Sequence, residues 1–257
     1  KGDIVLTRGT RIRPQEIAVL ATVGCTRPRV ARAPGIGVIA TGSELVGPGE
    51  TVPGAKIRNS NGFQLAAQAR SAGAVVMNYG IARDDEETLD AMIRKGLAEN
   101  DILLISGGVS VGDFDLVPGV MKRNGLAILF DRVAIKPGKP VTFGVSERAV
   151  SFGLPGNPVS TFVLFEIMVR PFIAAMTGCR AGPVDLSLRL GKKITRKRAD
   201  RRSFIPVVWK DSGAVVPVEY HGSAHIGAMC LADGLISMPV GVSELHEGTI
   251  VHVRPFQ

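Results

Sequence analysis

The sequence predicts a three-layer α/β/α domain with a mostly parallel sheet, followed by a small C-terminal all-β domain. Between about residues 35 and 178, short apolar runs alternate with longer stretches of helical period, which is typical of a parallel sheet covered by helices. After residue 178 the pattern changes to apolar–polar alternation, which is typical of strands with one buried face. The chain has 257 residues, and this length favours at least two compact units over a single core.

Six apolar runs predict the strands of the α/β domain, and their lack of polar interruption predicts strands buried on both faces. They lie at residues 37–41, 74–78, 101–106, 126–130, 141–145 and 149–152. Four helices are expected between and after them. The first is capped by Asn59 and Ser60, the second opens with the acidic residues 84–87, and the third begins near Leu116. The last begins at Pro158, with Asn157 as its cap.

Four alternating segments predict the C-terminal β domain, at residues 184–190, 203–209, 214–218 and 249–253. Residues 1–33 fit neither pattern. We expect them to be the end of an N-terminal domain whose other part is absent from this sequence. The expected boundaries are therefore 1–33, 34–178 and 179–257.

The composition is that of an ordinary globular protein and excludes a disordered chain: 31 Lys and Arg against 23 Asp and Glu give a net charge of +8, and 45% of residues are hydrophobic. Three separated cysteines form no Cys-x-x-Cys pair, which favours a reducing compartment, and we expect a cytoplasmic protein. The most apolar stretch, residues 159–176, is interrupted by Glu166, Arg170 and Pro171. We expect it to be too short and too polar to span a bilayer.

Four loops rich in glycine, proline or hydroxyl groups are expected at one edge of the sheet, where ligands of open parallel sheets bind. Residues 106–112, Ser-Gly-Gly-Val-Ser-Val-Gly, can form an anion nest or simply a tight turn that needs positive φ. Residues 41–44, Thr-Gly-Ser-Glu, add hydroxyls and a carboxylate, or only a turn and a helix cap. Residues 154–160, Leu-Pro-Gly-Asn-Pro-Val-Ser, enter a helix N-terminus, which favours an anion, or form only a cap and a turn.

The fourth loop, residues 136–140, carries two ammonium groups, those of Lys136 and Lys139, between prolines that stiffen it. Two cations suit a phosphate or pyrophosphate, and a solvated surface pair is the alternative. The basic run 192–202 could contact nucleic acid, but it lacks an aromatic residue for stacking, and we interpret it as a solvated hairpin edge that resists aggregation. His221 and His225 could share a metal by their spacing, but no third ligand of matching spacing accompanies them.

Taken together and in their order along the chain, the four motifs resemble those of the molybdopterin molybdenumtransferase (MoeA) family, which includes the gephyrin E domain. The resemblance covers essentially the whole chain. It implies hydrolysis of adenylylated molybdopterin with release of AMP, and insertion of molybdenum from molybdate, assisted by Mg²⁺. It also implies a homodimer and makes the molybdopterin adenylyltransferase a candidate partner, whereas neither a nucleic acid nor a membrane is expected.

The resemblance implies that Asp115 and Glu44 are the catalytic residues and the Mg²⁺ ligands, since carboxylates are the hard oxygen donors that Mg²⁺ prefers. Two departures from the family are visible. Ser43 stands where many members have Asp, and this sequence starts after the family's N-terminal lobe, which has an acidic segment that reaches the partner subunit's site. Either the gene product is longer than this sequence, or the protein lacks part of the composite site. The expected ligand- and phosphate-binding residues are Thr41, Gly42, Ser43, Ser106, Gly107, Gly108, Ser110, Gly112, Lys136, Lys139, Pro155, Gly156, Asn157, Pro158 and Ser160.

Three other functions stay open. The molybdopterin adenylyltransferases share the α/β domain, but their glycine motif reads Gly-Gly-Thr-Gly and they generally lack the β domain. A non-catalytic molybdopterin-binding scaffold would bind a peptide through the β domain. A nucleic-acid-binding module would use the basic run, and its binding would weaken steeply with salt. Neither of the last two explains the four loops.

Overall fold

The computed structural model describes residues 2–83, 85–109, 116–179 and 184–256. Its first helix, α1 (Pro14–Thr22), begins where the carboxylate of Glu16 accepts hydrogen bonds from the backbone N–H of Arg13 (2.9 Å) and from its guanidinium (2.8 Å). The Arg13 guanidinium lowers the pKa of Glu16 to about 2. Helix α1 buries only Glu16 and leaves Ile17 and Val19 exposed, so it contributes little to a core.

The α/β domain follows. In chain order its elements are β1 (Gly35–Thr41), β2 (Leu45–Val46), β3 (Ile57–Arg58), α2 (Asn61–Ser71), β4 (Val75–Ala82), α3 (Glu86–Glu99), β5 (Ile102–Ser106), α4 (Leu116–Arg123), β6 (Ala127–Arg132), β7 (Ile135–Lys136), β8 (Pro140–Val145), β9 (Val150–Leu154), α5 (Pro158–Leu164) and α6 (Arg170–Met176). The central sheet has the strand order β4-β1-β5-β9-β8-β6. Strands β4, β1, β5 and β9 are parallel, whereas β8 and β6 are antiparallel to their neighbours. The mostly parallel sheet is therefore confirmed.

Helices cover both faces of this sheet. On one face α2 and the α5–α6 helix pack through Leu65 and Phe165, and on the other α3 and α4 pack through Leu89 and Met121. The neighbouring residues 103 and 104 of β5 belong to different clusters, because successive side chains of a strand point to opposite faces. The three-layer α/β/α arrangement follows from this division.

The two edge strands differ from the prediction. Val75 and Met77 of β4 are more than half exposed, as is Leu129 of β6. The expectation that all six strands are buried on both faces is wrong for these two. Helices cover the middle of the sheet, and each edge strand therefore keeps a row of side chains in solvent.

The helix starts use only some of the predicted caps. The side-chain oxygen of Asn59 accepts a hydrogen bond from the backbone N–H of Gly62 (2.9 Å), whereas Ser60 makes no side-chain cap bond. Asp85 caps α3 by accepting from the backbone N–H of Thr88 (2.8 Å). Asp84, the first residue of the predicted acidic turn, lies outside the described residues.

The last helix of the domain is continuous over 19 residues, Pro158–Met176, because a π-helical turn at Phe165–Val169 joins α5 to α6. By length and composition alone, this helix could cross a membrane. The prediction that the stretch is too short and too polar to span a bilayer is therefore wrong. Half of it is buried inside the protein, and Ile173 packs with Phe165 against the sheet. These contacts are those of a core helix.

The C-terminal domain is all-β, as predicted, apart from a 3₁₀ turn at Ile226–Leu231. Its strands are β10 (Leu186–Leu190), β11 (Ile194–Thr195), β12 (Arg202–Trp209), β13 (Ala214–Pro217), β14 (Gly234–Met238), β15 (Glu244–Leu245) and β16 (Ile250–Pro255). Five of them close a ring in the order β13-β10-β16-β14-β12, since β12 also pairs with β13. Val207, Ile236 and Val253 are fully buried in its core. All four predicted strands form, and β11, β14 and β15 are additions.

Strand β7 links the two domains. Ile135 and Lys136 lie between two strands of the central sheet, yet they pair in parallel with Arg202 and Ser203 of β12. The α/β segment thus adds a sixth strand to the C-terminal sheet. A division of the chain at residue 178 therefore crosses hydrogen bonds between the two domains, and it also crosses a buried cluster formed by Val159, Val163, Met229 and Leu235.

Candidate functional site

Three parallel strands end side by side at one edge of the central sheet. Strand β1 ends at Thr41, β5 at Ser106 and β9 at Leu154, with β5 between the other two. The backbone N–H of Gly107 donates to the carbonyl oxygen of Leu154 (2.9 Å), so the ladder between β5 and β9 continues into the loop. The loops after these strands meet at one edge, as the sequence predicts.

The glycine loop after β5 is packed directly against the end of β1. Gly107 has a φ of 104°, and a Cβ there would lie 2.3 Å from the carbonyl oxygen of Thr41. Gly108 also has positive φ, so both glycines form the tight turn that was one interpretation of this loop. The N–H of Gly107 is already bonded to Leu154, and a nest of free N–H groups would therefore begin only at Gly108.

Ser106 is buried, and its hydroxyl bridges two neighbours. It accepts a hydrogen bond from Nδ2 of Asn61 (2.8 Å) and donates to the carbonyl oxygen of Pro155 (3.3 Å). A hydroxyl has one proton to donate. In this conformation Ser106 can therefore offer a ligand an acceptor lone pair but no donor.

Asn61 is a site residue that sequence reasoning missed. Its Nδ2 also donates to the carbonyl oxygen of Gly156 (2.8 Å), so one amide joins α2 to the loops after β5 and β9. Its Oδ1 is buried and has no hydrogen-bond partner within the part of the chain that the structure describes. The polar triplet formed by Asn59, Ser60 and Asn61 is the signal that could have found it.

The loop after β1 carries the candidate carboxylate. Glu44 folds back over Gly42: both carboxylate oxygens lie within 2.7 Å of the point where a Cβ on Gly42 would stand. Glu44 and Ser43 are exposed, while Thr41 and Gly42 are buried. The ammonium group of Lys56 donates to the carbonyl oxygen of Ser43 and holds the turn. An exposed carboxylate at the sheet edge is available to a cation.

The loop after β9 leads into α5. Pro155 and Ser160 are buried, Gly156 and Asn157 are exposed, and Pro158 is the first residue of the helix. The predicted cap is not used, because the Asn157 side chain makes no cap bond. The hydroxyl of Thr161 instead donates to the carbonyl oxygen of Pro155 (2.5 Å).

The C-terminal domain reaches this helix start. The backbone N–H of Val159 donates to the carbonyl oxygen of Ser223 (2.9 Å), and Phe162 contacts Phe256 with ring centroids 4.9 Å apart. The first turn of a helix leaves its N–H groups without intrahelical partners. Since Ser223 takes one of them, fewer donors remain for an anion than the sequence suggests.

The lysine loop reaches the same edge from the antiparallel side of the sheet. Strand β8 runs opposite to β9, so β8 begins where β9 ends, and Thr142 pairs with Gly153. The loop is closed by the backbone N–H of Val133, which donates to the carbonyl oxygen of Lys139 (2.9 Å). Both lysine side chains, of Lys136 and Lys139, are exposed. Two cations therefore stand near the ends of three parallel strands.

Three of the predicted site residues, Ser110, Gly112 and Asp115, lie outside the described residues. Within the described ranges, no group of three or more His, Cys, Asp or Glu side chains could hold a metal ion. His221 and His225 stack with parallel rings, 5.7 Å between centroids. The role of Asp115 therefore stays a prediction, and of the two predicted metal ligands only Glu44 has a described position.

The basic run spans two sheets. Residues 194–195 form β11, which pairs with β15 in a two-stranded sheet, and residues 196–201 connect β11 to β12. Strand β12 lies inside its sheet between β14 and β7, whereas for β11 the interpretation as a solvated edge that resists aggregation stays a prediction. The register of β12 places the end of the basic run next to the lysine loop.

The chain matches two family models. Residues 37–175 match a family described as "Probable molybdopterin binding domain", and residues 187–256 match the MoeA C-terminal region (domain IV). The first match covers the six-stranded sheet and its helices, and the second covers the strands of the C-terminal domain.

Relatives and solved structures agree with these matches. The chain is 37% identical over 255 residues to a molybdopterin molybdenumtransferase of Staphylococcus epidermidis, covering 98% of this chain and 61% of that protein. It is 33% identical over 256 residues to one of Bacillus subtilis, covering 98% and 60%. The chain thus spans about three fifths of the length of these curated relatives.

A solved molybdopterin biosynthesis MoeA protein from Pyrococcus horikoshii superposes with a TM-score of 0.87 at 33% identity, covering all of this chain and 63% of that one. A molybdenum cofactor biosynthesis protein from Pyrococcus furiosus gives 0.79 at 26% identity, covering all of this chain and 80% of that one. With both regions matched in this order, the chain belongs to the MoeA family.

Proposed function

We propose that this chain acts in molybdenum cofactor biosynthesis as a molybdopterin molybdenumtransferase. The observation that carries the proposal is the meeting of three strand-end loops and a two-lysine loop at one sheet edge, in a chain of the MoeA family. The relatives from Staphylococcus epidermidis and Bacillus subtilis carry this name. The similarity to them and the site geometry support the same conclusion independently.

The proposed reaction begins with adenylylated molybdopterin, in which a pyrophosphate joins the pterin to adenosine. Water attacks the adenylyl phosphorus, the bond from that phosphorus to the bridging oxygen breaks, and AMP leaves while molybdopterin keeps its own phosphate. Molybdenum is then inserted from the second substrate, molybdate: the two dithiolene sulfurs form bonds to molybdenum, and one oxo group leaves as water with the two thiol protons. Both substrates are anions, which the positive surface of the lysine loop attracts.

Lys136 and Lys139 are proposed to bind the pyrophosphate. Their ammonium groups are exposed and make no ion pair with any residue in the described ranges. A charge-assisted hydrogen bond from each is worth roughly 1.5–3 kcal/mol when it is shielded from water. The loop glycines and helix start complete the proposed lining: Thr41, Gly42, Ser43, Ser106, Gly107, Gly108, Ser110, Gly112, Pro155, Gly156, Asn157, Pro158 and Ser160.

Glu44, together with Asp115, is proposed to hold Mg²⁺. The fit rests on the donor set: Glu44 is an exposed hard carboxylate at the edge where the phosphates are expected. When bound, Mg²⁺ would offset the negative charge that develops on the phosphate oxygens. Glu44 itself positions the cation, because its carboxylate is held over the turn at Gly42.

The remaining parts of the proposal concern the oligomeric state, the partner protein and the cellular location. A homodimer, and the molybdopterin adenylyltransferase as a partner that supplies the substrate, follow from the family resemblance. A cytoplasmic location is supported by the cysteine pattern of the sequence, because Cys25, Cys179 and Cys230 are widely separated and form no Cys-x-x-Cys pair. No membrane or nucleic acid partner is proposed.

The test is AMP release from adenylylated molybdopterin by the purified chain with Mg²⁺, with and without molybdate. Molybdate-dependent release that Asp115→Asn abolishes is the expected result. No release from a folded chain that still binds AMP would show that this polypeptide alone does not hold a complete catalytic set.

A matched pair of variants tests the carboxylate. Glu44→Gln is expected to lower the rate of AMP release by about 100-fold or more, because the cation loses a ligand. Glu50→Gln removes an exposed carboxylate from the next loop, between β2 and β3, and is expected to leave the rate unchanged. Equal rates for the two variants would contradict the role of Glu44.

A further inference from the structure

The turn before β12 contacts the lysine loop directly. The guanidinium of Arg201 donates from Nη1 to the carbonyl oxygen of Ile135 (3.3 Å), and the backbone N–H of Arg202 donates to the carbonyl oxygen of Ala134 (2.9 Å). The Ile135 carbonyl and the Lys136 N–H belong to one planar peptide unit. Fixing that carbonyl therefore fixes the backbone from which the Lys136 side chain extends.

The turn that presents Arg201 is itself held by Arg196. The Arg196 guanidinium donates to the carbonyl oxygens of Val242 (2.7 Å) and Arg201 (2.6 Å), to the carbonyl oxygen of Pro239, and to the hydroxyl of Ser203 (2.7 Å). The planar fork of arginine suits several acceptors at fixed positions. Arg201 is therefore presented to Ile135 from an ordered turn.

The lysine loop is restrained on both sides of Lys136. Pro137 is buried, and at the far end of the loop Gly138 packs against the side chain of Leu164 in α5. The carbonyl oxygen of Lys139 accepts a hydrogen bond from the backbone N–H of Val133. On the other side of Lys136, the backbone pairs with β12 and accepts the hydrogen bond from Arg201. The backbone position of Lys136 therefore depends on the C-terminal domain.

We propose that Arg201 is a positioning residue for the lysine loop, holding the peptide between Ile135 and Lys136 so that the loop is ordered before a pyrophosphate binds. This inference rests on the proposed function, in which Lys136 and Lys139 bind the phosphates of the substrate. A loop that is ordered in advance loses less entropy on binding and binds more tightly. The C-terminal domain thus acts on the anion site within the same chain.

The test is calorimetric binding of inorganic pyrophosphate to the purified chain. Arg201→Met removes the donor and is expected to weaken binding about 3- to 10-fold, the usual contribution of one hydrogen bond. Arg198→Met is the matched control: Arg198 is an exposed arginine of the same turn, and no hydrogen bond or ion pair of its side chain is found in the described part of the chain. It removes the same charge and is expected to change the affinity by less than about twofold at 0.15 M salt.

Rescue and salt dependence separate positioning from direct contact. Arg201→Lys keeps a donor and is expected to recover most of the affinity. The salt dependence of binding is expected to stay the same in Arg201→Met and to fall in Lys136→Met, because only the lysine meets the anion. Equal effects of Arg201→Met and Arg198→Met, or a salt dependence that falls in Arg201→Met as in Lys136→Met, would overturn the inference.

The two proposals fail in different ways. If Lys136→Met leaves pyrophosphate affinity unchanged, the lysine loop is not the anion site, and the ligand-binding role of Arg201 is excluded with it. If Lys136→Met weakens binding and Arg201→Met does not, the site stands and the positioning role is excluded. Thermal unfolding of each variant identifies one that fails to fold, and Arg201→Ala, which also removes the donor, then replaces Arg201→Met.

Discussion

Asn61 Nδ2 lies 2.8 Å from Ser106 Oγ, although the two residues are 45 positions apart in the chain. The same nitrogen donates to the carbonyl oxygen of Gly156 (2.8 Å). One side-chain amide at the start of α2 therefore holds together two of the loops that form the candidate site. The contact is structural in this conformation, and its loss would loosen both loops together.

Replacing Asn61 with leucine is expected to destabilise the protein by about 1–2 kcal/mol, because the Gly156 carbonyl and the Ser106 hydroxyl lose their common donor. Chemical denaturation measures this loss. Asn157→Ala is the control: its exposed side chain makes no cap bond, so its effect should stay within about 0.5 kcal/mol. Equal stability of the two variants would show that the Asn61 amide does not hold the loops.

Gly107→Ala is expected to lower the free energy of unfolding by more than backbone strain alone would. The added methyl would stand 2.3 Å from the Thr41 carbonyl oxygen, in a residue with a φ of 104°. Gly125→Ala is matched, since Gly125 has a φ of 83° and nothing within 4 Å of its added methyl, and it should cost only about 1–2 kcal/mol. Thermal unfolding compares them, and a Gly107 variant no less stable than the Gly125 variant would contradict the close approach.

Glu166 joins α2 to the last helix from a buried position. Its carboxylate accepts hydrogen bonds from Gln68 Nε2 (2.6 Å) and Arg170 Nε (2.6 Å), and its side chain is only 5% exposed. Glu166→Ala is expected to destabilise the protein by about 3 kcal/mol, because Arg170 is left without its partner in a largely buried site. Lys193→Met breaks the exposed pair with Glu244 and should cost less than about 1 kcal/mol. Similar denaturation midpoints for the two would refute the difference between buried and exposed pairs.

Both tyrosines are expected to resist ionisation. Burial, with a hydrogen bond to Glu99, raises the pKa of Tyr79 to about 12, and burial raises the pKa of Tyr220. A raised pKa means that the folded protein keeps a proton that the unfolded chain releases near pH 10. The contribution to stability is therefore complete below pH 10 and is lost as the pH rises toward 12.

Ultraviolet absorbance of the phenolate measures this directly. At pH 10, where a free tyrosine is half ionised, Tyr79 should give almost no phenolate and Tyr220 should be less than half ionised. In Tyr79→Phe only Tyr220 contributes phenolate absorbance, so this variant shows which titration step belongs to which tyrosine. A half-ionised signal at pH 10 in the folded protein would refute the raised pKa values.

The local elements of the fold could be predicted from the sequence because each depends on neighbouring residues. Apolar runs bounded by glycine and acidic residues located the strands of the central sheet, and Pro158 located the start of the last helix. The glycine turn at Gly107 was recognised because only glycine adopts that backbone conformation without strain. The proposed roles of the loops, with Asp115 among them, remain predictions that the experiments above address.

The errors have one physical cause. Whether Val75 is buried, whether Asn61 faces solvent or ties two loops, and whether Arg201 faces solvent or a carbonyl all depend on residues far away in the chain. Periodicity reports only which residues share a face of one element. Which elements then become neighbours is set by packing of the two sheets, and that packing placed β7 against β12.

Composition and local pattern were thus enough to predict two domains, a mostly parallel sheet and four loops at one edge. Hydrophobic periodicity and turn-forming residues depend only on residues that are close together in the sequence. The tertiary structure alone decided that Asn61 closes the site and that the C-terminal domain holds the lysine loop through Arg201. Hydrogen bonds between distant segments form only when the chain is folded, since their donors and acceptors have no local relation in the sequence.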